Sequence, residues 1–250
     1  MQKILAVIPA RGGSKGVLRK NIRPVLGTPL IGYTINAVLP LGHLVHRVIV
    51  STEDPEIARV ATDFGAEVPF IRPTELASDG APTLPLLQHA VRFIESRDNV
   101  SLDWVLLLQP TSPLRTTSDI QAAISLAGQQ RCDSVISVVP VVSDHPILIK
   151  RIENNQLLPY CLPEREGTRR QDLNPPAYKR NGALYLTKRD VIMNQHSIWG
   201  EKIVPYIMPE ERSVNIDSEL DLKLVEMLLK EQGKEEFGSQ KNHRNSEKVA

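Results

Sequence analysis

Lys3-Ile4-Leu5-Ala6-Val7-Ile8-Pro9 runs straight into Ala10-Arg11-Gly12-Gly13-Ser14-Lys15-Gly16. The first half is a short continuous apolar run, the pattern of a strand buried on both faces of a parallel sheet. The second half sets glycines among basic side chains. Working outward, strands and helices alternate. Pro29 to Leu39 places Ile31, Ile35 and Val38 on one helical face, with Pro29 at the helix start. Val45 to Val50 reads as a second buried strand. Asp54-Pro55-Glu56 supplies a cap, a first-turn proline and an acidic first turn. Ile57, Val60, Ala61 and Phe64 follow at helical spacing, and Gly65 stops the helix. A further helix covers Leu84 to Ser96. Trp104 to Leu108 is a third buried strand, Ser118 caps a helix through Ala127, and Ser134 to Val139 is a fourth strand.

This alternation predicts a mostly parallel, Rossmann-like α/β sheet with helices on both faces. In such sheets ligands bind at the carboxyl ends of the strands. The chemically dense segments, Arg11 to Asn21, Ser51 to Asp54 and Gln109 to Arg115, all follow expected strands. After Pro140 the pattern changes. Segment 140–180 is rich in Pro, Asn, Arg and Glu, with short strands near Ile147 to Ile152 and Gln156 to Tyr160, and reads as an insertion or pairing arm. Strand returns at Ala183 to Leu186. Ser213 to Ile216 is strand-like, and Leu220 to Leu229 is a helix with Leu220, Leu224 and Leu228 in line. The expected organisation is one domain over 1–230, with 140–180 inserted, and a polar, disordered tail over 231–250.

Thirty basic and 29 acidic side chains leave a net charge of +1, which gives no general attraction to nucleic acid or to an anionic membrane. No apolar run approaches the roughly 20 residues that span a bilayer. Two cysteines, Cys132 and Cys161, make no disulfide framework, and a reducing cytoplasm is expected. The histidines lack the partners of a zinc site, and no Gly-x-Ser-x-Gly or Cys–His pattern supports nucleophilic catalysis.

The glycine loop brings backbone amides close enough to hold an anion, and Arg11, Lys15, Arg19 and Lys20 add positive charge. Its spacing is neither Walker A nor GxGxxG. On glycines alone, a phosphate loop and a solvated surface turn are equally open. The wider pattern is more specific. Ile8-Pro-Ala-Arg-Gly-Gly-Ser-Lys-Gly16 with Arg19-Lys-Asn-Ile22 is followed by Arg72-Pro-Thr-Glu-Leu-Ala-Ser-Asp79 and Leu108-Gln-Pro-Thr-Ser-Pro-Leu-Arg115. Arg180-Asn-Gly-Ala183 and Asn215-Ile-Asp-Ser-Glu-Leu-Asp221 come next, in order. Over residues 3–230 the chain resembles the acylneuraminate cytidylyltransferases, or CMP-sialic acid synthetases, a family that includes enzymes for legionaminic and pseudaminic acids.

The resemblance implies a nucleotidyltransferase fold and transfer of CMP from CTP, the co-substrate, to a nine-carbon sugar acid. It implies that the loop from Ala10 through Arg11, Gly12 and Ser14 to Lys20 and Asn21 wraps the CTP phosphates, with Lys20 neutralising charge. Arg72, Ala81 and Thr83 fall where the family reads cytosine and ribose; a serine is commoner at the last position. Alone, Arg72 reads as a surface charge. Gln109 falls where the family contacts the sugar acid, and could equally cap the Pro110 loop. Arg170 matches the carboxylate-binding arginine, with one extra residue before Asn181, and Lys150 is a second candidate. Arg115 could bind a carboxylate or form a structural ion pair, and the structural role is favoured. Tyr178 and Asn181 line the sugar site by the same likeness, although Tyr178 also reads as packing. The family carries Asp-Ile-Asp where this chain has Asn215-Ile216-Asp217, which makes Asp217 the main Mg²⁺ ligand, with Asn215 assisting. Glu219 and Asp221 read as helix-start acids. A homodimer, paired through the 140–180 arm, is implied as well. Two rivals stand beside this reading: an enzyme that activates the eight-carbon acid Kdo, and a non-catalytic nucleotide-binding protein.

Overall fold

In the computed structural model, which describes residues 2–13, 16–78, 80–141 and 143–246 and side chains as far as residue 232, the opening apolar run is strand β1 (Ile4–Pro9). Then come a small hairpin, β2 (Pro24–Val25) and β3 (Thr28–Pro29), helix α1 (Leu30–Val38), β4 (Arg47–Ser51), α2 (Pro55–Asp63), α3 (Thr83–Asp98), β5 (Trp104–Leu107), α4 (Thr117–Gln129) and β6 (Ser134–Val141). The arm is the hairpin β7 (Lys150–Glu153) and β8 (Gln156–Pro159). β9 (Ala177–Lys188), α5 (Arg189–Met193), β10 (Ile203–Ile207) and α6 (Glu219–Ser246) complete the chain.

The main sheet has the order β10-β6-β9-β5-β1-β4. β1 pairs in parallel with β4 and β5, and β10 in parallel with β6, while β9 runs antiparallel between β5 and β6. Alternate residues of β1 face opposite sides, as strand geometry requires. Ile4, Ala6 and Ile8 pack with Ile31 and Ile35 of α1, Ile57 of α2 and Ile120 of α4. Leu5 and Val7 pack with Leu87, Val91 and Ile94 of α3 and Ile192 of α5. The expected α/β sheet with helices on both faces is therefore the observed one.

Several local expectations need correction. α4 is capped by Thr116, not Ser118: the Thr116 hydroxyl accepts from Asp119 N–H and the Asp119 carboxylate accepts from Thr116 N–H, a reciprocal capping box. Residues 213–216 form no strand; they are held by Ile216 N–H donating to Thr111 O at 2.8 Å. Leu220 and Leu224 are exposed, and α6 instead buries Leu222 and Val225 against Val25 and Leu30. That packing sets the turn before α6 beside the glycine loop. β9 begins six residues earlier than its apolar core, at Ala177, because its polar first half pairs with Val138 to Val141. The arm is a hairpin whose turn, Asn154-Asn155, has positive φ at both residues, as a two-residue turn matched to strand twist requires. Trp104 is core, as expected, and no helix among the described residues is long and apolar enough to cross a membrane.

Candidate active site

The carboxyl ends of β1, β4 and β5 open on one cleft of about 490 Å³. It collects Arg11, Lys20, Asn21, Arg72, Ala81, Thr83, Gln109, Asn215 and Asp217 from positions spread over 200 residues of chain. Each arrives by a local reason. Ala10 is buried and its N–H extends the β1–β4 pairing to Ser51 O. Asn21 is buried, and its amide donates to Arg11 O at 2.9 Å, so it shapes the loop from within. Arg19 sits at φ 54° and pairs with Asp54 and Glu56, which ties the far end of the loop to the start of α2. Gly12 N–H donates to Glu53 Oε1 at 2.7 Å. Ser14 and Lys15 lie outside the described residues.

Arg72 is not the surface charge that its local sequence suggests. It is 4% exposed, its N–H donates to Thr52 O, and its guanidinium pairs with Glu53. Burial pushes the Glu53 carboxyl up, but the hydrogen bonds from Arg72 and Gly12 outweigh it and hold its pKa below the ordinary value. Thr83 is the first residue of α3, a helix whose N-terminus has no side-chain cap. Its first-turn amides and Arg72 thus share one wall of the cleft.

Lys20 closes the other side. Its ammonium donates to Ile216 O at 2.7 Å and to Asp217 Oδ1 at 3.3 Å. Gly16 packs so closely on Asp217 that a methyl group there would overlap the Asp217 carbonyl oxygen. Asp217 itself is largely exposed, and its other oxygen accepts from Asn215 Nδ2 at 2.8 Å. The Asn215 carbonyl oxygen is buried with no partner among the described residues. Asp221 accepts from the N–H groups of Asp217 and Ser218, the helix-start role expected of it.

Asn215 and Asp217 also line a second cavity, of about 940 Å³, between the main sheet and the arm. Its cations are Arg169, Arg170, Lys179 and Arg180. Arg169 is bound to Asp172, while Arg170 stands in the adjoining exposed turn. Lys150 lies outside the cavity lining and pairs with Glu164 at 2.5 Å. A third recess of about 280 Å³ joins the first at Thr83, Gln109 and Asn215. Its walls include Arg180, Tyr185 and Trp199, with the Arg180 guanidinium 4.2 Å from the centre of the Trp199 ring. Gly182, at φ 75°, leaves room for Gln109 there; a side chain would strike the Gln109 amide oxygen.

Two expected sugar-site residues sit differently. Tyr178 is half-exposed on the outer part of β9 and lines none of the three cavities. Tyr185, one strand segment further on, does line the third recess. Asn181 borders two cavities, but its amide is engaged internally: its oxygen accepts from Ser137 Oγ at 2.6 Å and its nitrogen donates to Ser213 Oγ at 2.9 Å. Arg115 is buried and structural, but no ion pair holds it among the described residues: it donates to Ala183 O and Thr34 Oγ1, and burial lowers its pKa to about 9. Glu53, Tyr185 and Trp199 were not singled out from sequence, and Arg180 stood in a motif without a role. For Glu53 the signal existed, since it follows a strand; Trp199 sits in no motif.

Comparison with known proteins places the chain in a family. The cytidylyltransferase family model matches residues 5–202. The chain is 34% identical over 233 residues to the post-translational flagellin modification protein B of Campylobacter coli, covering 92% of this chain and 97% of that one. It is 34% identical over 231 residues to the CMP-N,N'-diacetyllegionaminic acid synthase of Campylobacter jejuni, covering 92% and 96%. A solved CMP:2-keto-3-deoxy-manno-octonic acid synthetase complexed with CTP has the same fold, at TM-score 0.67 and 18% identity, over 92% of this chain and all of that one. An open cleft at the strand ends, flanked by Lys20 and Arg72, and a family match over residues 5–202 lead to one conclusion: this chain belongs to the cytidylyltransferase family.

Proposed function

We propose that this protein transfers CMP from CTP to the anomeric hydroxyl of a nine-carbon, sialic-acid-like ulosonic acid. The observation that carries this reading is the shared wall of Asn215 and Asp217. It joins a cleft holding Arg11, Lys20, Arg72 and Thr83 to a larger cavity rimmed by arginines. Nucleotide and acid thus meet at one place. The anomeric oxygen attacks the α-phosphorus and gives up its proton. The bond to the β-phosphate breaks, and its electron pair leaves with pyrophosphate. No protein nucleophile is required. Lys20 and Arg11 neutralise the triphosphate, and the gain comes from charge that is already in place when the reaction begins. Arg170 and Arg180 are the cations available to the acid's carboxylate, a planar anion suited to a guanidinium.

The donor set fits Mg²⁺. Asp217 offers an exposed carboxylate; Asn215 turns its amide nitrogen to it, and its carbonyl oxygen, buried with no partner among the described residues, would join the ion only once the amide turns over. Among the described residues no cluster of three acidic, His or Cys groups exists to cage a metal. Mg²⁺ characteristically takes one or two protein oxygens and completes its shell with water and substrate phosphate. When bound, it would supply charge neutralisation for the departing pyrophosphate. The loop must touch this turn for the geometry to hold. Gly16→Ala is therefore expected to lower kcat roughly 100-fold, the order of loss that a displacement near 1 Å produces, and to lower the melting temperature too, because the clash is with backbone that must move.

We further propose a cytoplasmic homodimer, paired through the β7–β8 arm, which exposes Ile152, Leu157 and Tyr160. Light scattering at micromolar concentration should give twice the 27.9 kDa chain mass; a single-chain mass would remove this part. The function itself is tested by pyrophosphate release from CTP with sialic, legionaminic, pseudaminic and Kdo acids, with Mg²⁺ and with a chelator. Release is expected with at least one nine-carbon acid and only with the metal. Preference for Kdo would move the protein to the eight-carbon enzymes. CTP binding without release from any acid would make it a non-catalytic nucleotide binder.

A further inference from the structure

We infer that Glu53 is a positioning residue for nucleotide choice: its carboxylate locks the base-side arginine, Arg72, and the phosphate loop into one register. This rests on the CTP reading above and goes beyond it, since Glu53 touches neither base nor phosphate in that reading.

The geometry is a two-pronged clamp. Glu53 stands just past the carboxyl end of β4. Oε1 accepts the N–H of Gly12, in the phosphate loop, at 2.7 Å, and Oε2 accepts from Arg72 Nη2. The backbone repeats the tie, because Thr52 pairs with Ile71 as a short bridge and Thr52 O accepts Arg72 N–H at 2.8 Å. Arg72 is thus fixed at both its backbone and one nitrogen. Its Nε–H is buried and has no partner among the described residues, although Arg72 lines the cleft. A buried guanidinium with one face committed to a carboxylate and a donor still unspent is prepared for an acceptor on a ligand.

Cytosine and uracil differ at this point. Cytosine presents two neighbouring acceptors, O2 and N3, whereas uracil has an N–H at position 3. An arginine held in one orientation discriminates between them, because a site built to donate leaves its donors unpaired against the wrong base. An arginine free to swing tolerates both. Glu53 stays ionised at neutral pH, since the hydrogen bonds of Arg72 and Gly12 lower its pKa, so the clamp is closed under working conditions.

The test measures calorimetric Kd values for CTP and UTP with wild type, Glu53→Gln and Glu53→Asp, alongside kcat and KM and a melting curve for each. Wild type is expected to prefer CTP. Glu53→Gln keeps a side-chain oxygen for Gly12 but removes the charge facing Arg72. It should weaken CTP about tenfold and UTP far less, so the CTP:UTP preference drops about tenfold. Because the phosphate loop shares the clamp, kcat is expected to fall as well, and the ratio of the two Kd values, not turnover, is the readout that separates a base-selecting role from a merely structural one. Glu53→Asp keeps the charge on a shorter stem and should lose about threefold of the preference. Equal weakening of both nucleotides by Glu53→Gln, or an unchanged preference, would overturn the inference, because a merely structural carboxylate predicts that result. Should the glutamine variant not fold, an unchanged CTP:UTP ratio in Glu53→Asp overturns it equally. Wild-type protein that binds both nucleotides alike, or neither, sinks the CTP reading itself, an outcome distinct from a failure of Glu53 alone.

Discussion

Lys20→Ala is expected to lower kcat with CTP about 10²–10³-fold, the loss usually seen when one preorganised donor to a developing charge is removed. The side chain is only 15% exposed, and its ammonium is already aimed at the place where loop and metal-side turn meet, between Ile216 O and Asp217. Two of its three donors are spent on these partners, and the third is left for the negative charge that builds on the departing phosphates. Its partners in the free protein are a carbonyl and an exposed carboxylate, both of which water can satisfy. Lys20→Ala should therefore melt within a few degrees of wild type, consistent with the small worth of exposed ion pairs. A stopped assay of pyrophosphate release at saturating CTP, set beside a thermal melt, separates the two effects. Turnover near wild type would place the triphosphate elsewhere.

Asp119→Ala should produce the largest loss of stability. Asp119 is buried at the first turn of α4, where its oxygens accept from Arg212 through two nitrogens, from Tyr206 Oη at 2.9 Å and from Thr116. Removing it leaves the Arg212 guanidinium without its partner and uncaps a helix, a loss of about 3–5 kcal/mol for a broken buried pair, or on the order of 10 °C in Tm for a domain of this size. The consequences reach the site, because Arg212 starts the segment that carries Asn215 and Asp217. The pH dependence follows the same residue. Burial pushes the Asp119 carboxyl up, but Arg212, Thr116 and Tyr206 outweigh it and hold the pKa below its ordinary value. Its stabilising contribution is therefore complete above the unfolded value of about 3.9 and is lost as pH falls through the lower folded value. The phenol moves the other way: burial and the Asp119 charge push Tyr206 up to about 12. Melting curves from pH 3 to 7 should show wild type losing this increment in acid, while Asp119→Ala, already without it, shows a shallower slope. Parallel curves for the two proteins would contradict the assignment.

Much of this architecture is legible in the order of residues. β1 and β5 are continuous apolar runs, and β4 and β6 nearly so, because each is covered on both faces, and such runs announce themselves without any partner in view. β10 does not. It is an edge strand with alternating exposure and a proline at 205, which only an edge tolerates. The outer half of β9 is polar because it leaves the core to meet the arm, so its apolar core alone marked the strand. At the site, the glycine loop, Lys20 and Asp217 were readable as motifs, but their contact was not: Lys20 and Asp217 lie 197 positions apart. Arg72 looked like a surface charge because its partner, Glu53, is 19 positions away on another strand end. Tyr178 and Tyr185 lie on one strand, and only the positive φ at Gly182 and the slip in pairing between Ile136 and Val138 decide which tyrosine meets the cleft. Side-chain direction after a bulge cannot be counted from alternation.

The central claim is geometric: one cleft at the strand ends holds the whole nucleotide, with its α-phosphate beside Asn215 and Asp217. A crystal structure of the protein with CTP and Mg²⁺ tests it directly. The account predicts the triphosphate within hydrogen-bond distance of Lys20 Nζ and the loop amides, and the cytosine edge against Arg72 and the start of α3. A nucleotide found instead in the cavity beside the arm, with Lys20 still bound to Ile216 and no phosphate near it, would contradict the account.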